Sequence, residues 1–320
     1  INKVVKKVTS NIIERSKKER AKYLNRIKLF KKKPGARDLL SCGNLAHSIA
    51  GCNSFEKQEV IKGNKPNIAI VSAYNDMLSA HKPYETYPKI IKNIINQNGG
   101  TCQFAGGVPA MCDGVTQGQA GMELSLFSRD VIAQSTAIAL SHNVFNGALM
   151  LGVCDKIVPG LLMGCLAFGH LPIIFIPAGP MPTGLSNVKK STSREAYLKN
   201  QITKSELLKV ESKAYHSPGT CTFYGTANTN QLLLEVMGLM LPGAAFINPE
   251  SKLRKLFTEK ASKRIIEICN SSNSKRPIGE IINEKAIVNA IVGLLASGGS
   301  TNLTIHLIAV AKFAGITIKW

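Results

Sequence analysis

Two apolar runs, NIAIVSA at residues 67–73 and GALMLGV at residues 147–153, decide the fold class. Neither alternates apolar with polar residues, and turn-forming residues bound both, so each predicts a strand buried on both faces. Between them lie an amphipathic helix over 87–97 (YPKIIKNIINQ), a strand over 101–105 (TCQFA) and a Gly-rich stretch over 106–121. A helix over 123–141 follows. Past the second run, 160–169 predicts a short buried helix and 172–179 (PIIFIPAG) a further buried strand. Strand and helix alternate through short links, which predicts an α/β fold: a mainly parallel sheet with helices on both faces.

Outward from this centre the pattern loosens. Residues 188–218 are polar and helical, as in a surface insertion. Further helices are expected over 231–241, 252–269 and 284–296, and ITIKW at 316–320 reads as the start of another strand. Upstream, 3–33 predicts a lysine-rich helix with Ile12, Ile13, Tyr23, Leu24, Ile27 and Leu29 on its apolar side. The expected organisation is a basic helical region over 1–63 and an α/β domain over 64–320. The first residue is Ile1 and the pattern is unfinished at Trp320, so a fragment of a longer protein is expected.

The chain has 320 residues, 44% of them hydrophobic, enough for a sizeable core and too apolar for a disordered or fibrous chain. Its formal charge is +20, which taken alone points to nucleic acid or an anionic surface. The charge is unevenly placed. Residues 1–37 hold 14 basic and 2 acidic side chains, whereas 64–187 hold 6 of each. The excess is mostly Lys (31 Lys to 9 Arg) with few aromatics interleaved, and nucleic-acid readers lean on Arg forks and stacking rings. A solvated lysine surface is the simpler reading, so no nucleic-acid partner is expected.

Residues 157–188 contain no Asp, Glu, Lys or Arg, but Pro159, Gly160, Gly164, Gly169 and Pro172 break the run well short of the ~20 apolar residues a spanning helix needs. No membrane partner is expected. No secretory leader is evident, and the eight cysteines form no CxxC pair, so neither a zinc ribbon nor a disulfide framework is expected. A cytoplasmic location follows as an expectation.

In an open α/β sheet, ligands gather at the carboxyl ends of the strands. Three unusual segments fall there: Ser72–Asp76 (SAYND), Gly106–Gly114 (GGVPAMCDG) and Cys154–Lys156 (CDK). Gly219–Thr222 (GTCT), Thr226–Asn230 (TANTN) and Gly298–Asn302 (GGSTN) come later. Thiols at strand ends, with a carboxylate and a lysine beside one, suit a soft metal centre next to a hard-cation site. Structural cysteines and a local ion pair fit the same pattern. The Gly runs match neither a phosphate loop nor the dinucleotide fingerprint.

Read as whole motifs, SAYNDMLSAHKPYE, AGGVPAMCDGVTQGQAGMELSLFSRDVIA, SHNVFNGALMLGVCDKIVPGL, PGTCTFYGTANTNQ and ASGGSTNLTIHL resemble the dihydroxyacid/sugar-acid dehydratase family, and its phosphogluconate branch in particular. The resemblance runs from about Val8 to the last residue. It implies dehydration of 6-phospho-D-gluconate to 2-dehydro-3-deoxy-6-phospho-D-gluconate in the Entner–Doudoroff pathway. It also implies that Cys154 and Cys221 ligate a [4Fe-4S] cluster. Dihydroxyacid relatives take a third cysteine from a motif aligned with Asn75–His81, where this chain has Ala80. Cys112 stands where those relatives have Ser, and is the expected replacement.

The same resemblance implies Mg2+ held by Asp155 and by a carbamylated Lys156. A further acidic ligand in relatives falls here on Ala120, with Asp113 and Glu123 as candidate substitutes. The base in relatives is a serine in a C-terminal barrel domain, which is expected to lie outside this chain, so the base is expected beyond residue 320. Lys82, Arg129 and the 298–302 turn are candidates for the substrate phosphate. The expected partner is a small sugar-acid phosphate, and the expected assembly a homodimer. The rivals are a dihydroxy-acid or other sugar-acid dehydratase, a basic nucleic-acid-binding protein, and a truncated half that folds without turnover.

Overall fold

Within NIAIVS the side chains alternate between two interiors: Ile68 and Ile70 enter one apolar cluster, Ala69 and Val71 another. That alternation is the pleat of a strand covered on both faces. The computed structural model describes residues 2–31, 36–222, 224–270 and 275–320. Its sheet has four parallel strands, β1 (Asn67–Ser72), β2 (Thr101–Gly107), β3 (Gly147–Leu151) and β4 (Ile173–Phe175). Their order is β2-β1-β3-β4. The expected α/β fold with a parallel sheet is therefore present. Ile70 pairs with Phe104 on one side and Leu149 on the other.

Helices Tyr87–Gln97 and Lys252–Asn270 cover one face, where Ile91, Ile95, Ile265 and Ile266 meet Ile68, Ile70 and Leu149. Helices Ser125–Leu140 and Ile157–Ala167 cover the other with Ile132, Leu161 and Cys165. These last two approach closely because Gly160 and Gly164 lie on the contact. A Cβ on Gly164 would stand 2.5 Å from the Thr136 Cβ, and one on Gly160 2.7 Å from the Arg129 carbonyl oxygen.

The strand order reverses between β1 and β3. Neighbouring connections leave in opposite directions there, so a crevice opens at the carboxyl ends of these two strands. The Ala73 N–H donates to the Leu151 carbonyl at 2.8 Å, and the Val108 N–H to the Ser72 carbonyl at 2.9 Å. These bonds carry the pairing just past the strand ends and fix where the loops begin.

The Lys3–Lys31 helix buries Ile12, Ser16, Arg20, Tyr23 and Ile27, a single helical stripe, and leaves Lys3, Lys6, Lys7, Lys17, Lys18, Lys22 and Lys28 in solvent. Arg20 donates to the carbonyls of Ala314 (2.7 Å) and Gly279 (2.8 Å), and the Tyr23 hydroxyl to that of Leu166 (2.9 Å). Lys32 and Lys33, included in this helix by sequence, lie outside the described residues.

Some elements differ from expectation. The 231–241 helix begins earlier, at Thr226–Val236, because the polar TANTN segment is its first turn. Asn302–Phe313 is a helix that the 298–302 turn introduces. The insertion is two helices, Asn187–Leu198 and Lys204–Ala214. ITIKW forms no strand: Gly315 turns left-handed (φ 71°), and the Ile316 N–H returns to the Ala311 carbonyl at 2.8 Å. The Thr317 N–H then donates to the Ser16 hydroxyl at 2.9 Å, so this segment is held by the basic helix instead of by a strand.

Candidate functional site

Two of the three cysteines implicated by sequence follow strands, and the third sits next to an isolated bridge. Cys112 ends the loop after β2 and precedes the short Asp113–Thr116 helix. Cys154 follows β3 in a left-handed conformation (φ 76°) that few non-glycine residues adopt. Cys221 follows Thr220, which bridges in parallel to Pro180 beyond β4. Gly219 makes that bridge possible: at φ 131°, a Cβ there would lie 2.4 Å from the Met181 nitrogen.

All three thiols are free and half-buried. Burial pushes the Cys154 thiol well above its ordinary pKa, and the charges of Cys112, Cys221 and Asp155 push it the same way. Burial also raises Cys221, with Cys112 again adding to it. The three sulfurs are therefore electrostatic neighbours. Among the described residues, no three His, Cys, Asp or Glu side chains are grouped so that they could hold a metal ion. By residue type, three free thiols on three loops suit a soft metal centre.

Beside them, the Lys156 ammonium donates to both Asp113 and Asp155. The Ser125 hydroxyl donates to the other Asp113 oxygen at 2.6 Å. Burial pushes the Asp113 carboxyl up, but the bonds from Lys156 and Ser125 outweigh it and leave it below its ordinary value. Asp155 is more enclosed, and burial holds its carboxyl above the ordinary value. Burial opposes the charge on Lys156, yet the two carboxylates keep its pKa raised. Asp155 Oδ1 is buried without a hydrogen-bond partner among the described residues. Two carboxylates around one positive charge, with a spare inward oxygen, suit a hard cation. Asp113 thus sits with Asp155 and Lys156, whereas Glu123 and Ala120 are exposed on the following turn.

The support comes from residues whose roles the sequence did not reveal. The Asn230 side-chain amide donates to the carbonyls of Cys154 (3.2 Å) and Asp155 (3.0 Å). Asn228 donates to the Cys221 carbonyl (3.1 Å) and accepts from the Thr220 hydroxyl (2.9 Å). One helical turn therefore clamps two cysteine loops. His81 is fully buried, and burial pushes its pKa down to about 4; its Nε2 stands 3.1 Å from the Val153 carbonyl. A neutral ring donates there. His306, also lowered to about 4 chiefly by burial, places Nε2 3.8 Å from Asp155 Oδ1. The one available signal was the amide-rich TANTN run directly ahead of the apolar QLLLEV.

The phosphate candidates each have a partner within the protein. Lys82 is paired with Asp76 (2.6 Å) and Glu85 (2.7 Å), and Arg129 with Asp130 (2.9 Å). In the 298–302 turn, the Ser300 N–H donates to the Thr229 hydroxyl at 3.1 Å.

The profile described as dihydroxy-acid/6-phosphogluconate dehydratase, N-terminal, matches residues 65–320. A phosphogluconate dehydratase of Pseudomonas aeruginosa is 57% identical over 316 residues, which is 99% of this chain and 52% of that protein. One from Escherichia coli K12 is 53% identical over 320 residues, 100% of this chain and 53% of that protein. A dihydroxy-acid dehydratase of Sulfurimonas denitrificans is 34% identical over 260 residues, 79% of this chain and 46% of that protein. The chain spans about half the length of these curated relatives. Over that half, the profile match and the identities agree: the chain belongs to the dihydroxy-acid/6-phosphogluconate dehydratase family.

Proposed function

We propose that this chain is the cluster-binding part of a hydro-lyase that dehydrates 6-phospho-D-gluconate to 2-dehydro-3-deoxy-6-phospho-D-gluconate. The observation that carries the reading is the convergence of Cys112, Cys154 and Cys221 beside Asp113, Asp155 and Lys156 at the β1/β3 crevice. The printed names of the most similar relatives support the substrate. The lower identity to a dihydroxy-acid dehydratase supports the phosphogluconate branch over that alternative.

In this reading, the three cysteines hold a [4Fe-4S] cluster, and Asp155, Lys156 as its carbamate, and Asp113 hold Mg2+. When bound, the cluster supplies Lewis acidity toward the C3 hydroxyl, a poor leaving group near neutral pH. The cation, when bound, supplies positive charge to the carboxylate beside C2. The chain's own residues do the positioning. Asn230 holds the carbonyls of Cys154 and Asp155, Asn228 holds the Cys221 loop, and Ser125 fixes the Asp113 carboxylate. The proton at C2 is assigned to no residue of this chain.

Residues 64–320 are the proposed cluster-binding catalytic region, with 1–63 a basic helical region braced against it. Eight free thiols among the described residues accord with a reducing, cytoplasmic location. No helix of the described residues is long and apolar enough to cross a membrane.

Anaerobic iron and sulfide analysis of single Cys→Ser variants, in the protein that carries this chain, tests the assignment. Loss of the cluster in Cys112→Ser, Cys154→Ser and Cys221→Ser, together with 2-keto acid formation from 6-phosphogluconate by the parent, is expected. An intact cluster in Cys154→Ser overturns the scheme.

A further inference from the structure

A cavity of about 380 Å³ lies against the Cys221 loop, beyond the carboxyl end of β4. Thr222, the residue after Cys221, borders it. So does Asn228, whose side-chain amide donates to the Cys221 carbonyl at 3.1 Å. The border continues through Thr183, Phe246, Asn248 and Tyr224, the Tyr224 and Phe246 rings standing 6.3 Å apart between centroids. On the same side, Pro180 bridges in parallel to Thr220. The cavity therefore shares a wall with the loop that carries Cys221. Its volume falls within the ~300–1,000 Å³ of small-molecule sites.

The walls are fixed by bonds that leave much of the lining free. Arg254, 1% exposed, donates to the carbonyls of Ala244 (2.5 Å) and Ile247 (2.8 Å), so the stretch carrying Phe246 is held on both sides. The Asn248 side-chain amide donates to the Pro180 carbonyl at 2.8 Å. Gly179 permits this approach: a Cβ there would stand 1.8 Å from the Ile247 carbonyl oxygen. The lining itself is neutral. Among the described residues, no Asp, Glu, Lys, Arg or His borders the cavity. The hydroxyls of Thr183, Thr222 and Tyr224 bond to none of the described residues, and the rings of Tyr224 and Phe246 are exposed.

We infer that this cavity receives the uncharged, hydroxylated arm of a sugar acid, carbons 4 and 5 of 6-phosphogluconate, while carbons 2 and 3 react beside the Cys221 loop. The inference rests on the dehydratase reading above and deepens it: the lining selects a long polyhydroxylated acid over a short one. Each hydroxyl of such an arm both donates and accepts, as the hydroxyls of Thr183, Thr222 and Tyr224 do. Aromatic rings supply apolar area beside polar groups, which suits a chain that alternates C–H with O–H. A carboxylate or a phosphate would find no cation on this border, so the cavity matches neither charged end of the molecule. A short acid with only the reacting carbons leaves it empty.

The test compares the parent with Thr183→Trp, which fills the cavity, Tyr224→Phe, which removes one hydroxyl, and Phe246→Ala. Each is made in the protein that carries this chain, with iron content measured. The readouts are KM for 6-phosphogluconate and inhibition of its turnover by D-gluconate, which keeps the arm without phosphate, and by D-glycerate, which lacks the arm. Tyr224→Phe weakens 6-phosphogluconate and gluconate about twofold to tenfold, the loss of one neutral hydrogen bond. Phe246→Ala and Thr183→Trp weaken both by roughly tenfold or more. Glycerate inhibition and iron content stay at the parent's values. Equal losses for glycerate, or loss of iron, overturn the proposal by making these residues supports of the Cys221 loop. A higher KM for 6-phosphogluconate with unaltered gluconate inhibition also overturns it, by assigning the cavity to the phosphate. A parent that dehydrates 6-phosphogluconate alongside three unaltered variants overturns this inference and leaves the dehydratase reading standing. A parent that dehydrates other acids but not 6-phosphogluconate overturns both.

Discussion

Asn230 donates both amide hydrogens toward the loop of Cys154, reaching the Cys154 carbonyl at 3.2 Å and the Asp155 carbonyl at 3.0 Å. Cys154 is held at a positive φ that a cysteine does not favour, so the clamp maintains a conformation the chain alone would leave. Asn230→Ala would leave two enclosed carbonyls short of a donor, at a cost of about 2 kcal/mol. Denaturant unfolding should show that loss. Anaerobically reconstituted iron should fall with it, because the Cys154 thiol loses its fixed direction. Full iron occupancy in a destabilised Asn230→Ala protein would separate the clamp from the thiol.

Much of this arrangement was readable, and the unreadable parts share a cause. The strands NIAIVS and GALML are apolar throughout because both faces are covered, and CDK, MCDG and GTC stand out as polar groups next to them. TANTN was harder. Its Asn and Thr residues look like a loop by propensity, yet they open a helix because their side chains find carbonyls on the Cys154 and Cys221 loops. ITIKW misleads in the opposite direction: its β-branched residues suit a strand, but none of the described strands pairs with it. His81 and His306 carried no sequence signal, since their partners Val153 and Asp155 are distant in the chain.

Gly164 tests the covering layer independently of the chemistry. An added methyl would meet the Thr136 Cβ at 2.5 Å and the Ala133 carbonyl oxygen at 2.7 Å, and neither is the free end of a flexible side chain. Gly164→Ala should therefore destabilise by about 1–3 kcal/mol as the Ile157–Ala167 and Ser125–Leu140 helices separate. Calorimetry reads this as a lower Tm. An unchanged Tm would mean that the helices slide without cost.

Arg20 ties the basic helix to the body through the carbonyls of Ala314 and Gly279. Arg20→Met keeps much of the apolar stem and removes both bonds, so the expected loss is about 2 kcal/mol. Limited proteolysis should then cut within residues 3–31 faster than in the parent, with the rest of the chain still protected. Uniform cleavage across the chain would instead mark the helix as part of one cooperative unit.

His81 predicts an acid-side loss of stability. Burial lowers its pKa from 6.5 to about 4, so between these values the unfolded chain takes up a proton that the native chain refuses. Stability then rises with pH across that window and falls on acidification through it, by up to about 3 kcal/mol. Plotting the denaturation midpoint against pH for the parent and His81→Gln should show a shallower acid slope in the variant. Parallel slopes would move the acid sensitivity to other groups, of which His306 is the next.

Lys156 predicts the reverse dependence when it is removed. Its ammonium bonds to both Asp113 and Asp155, so Lys156→Met leaves two adjoining carboxylates with no cation to hold them. Removing one partner of such a group is expected to cost about 3 kcal/mol at pH 7. Both carboxyl pKa values then rise, because burial and like charge each favour the protonated form. The variant therefore recovers relative to the parent as the pH falls toward about 5, where one carboxyl takes up a proton and bonds to the other. Added Mg2+ or Mn2+ should restore part of the loss at pH 7 if these oxygens can hold a divalent cation, since a ligand bound only to the native state stabilises it. Thermal unfolding of Lys156→Met at the two pH values, with and without the metal, measures both effects together. A deficit that is independent of pH would show that Lys156 contributes packing rather than charge.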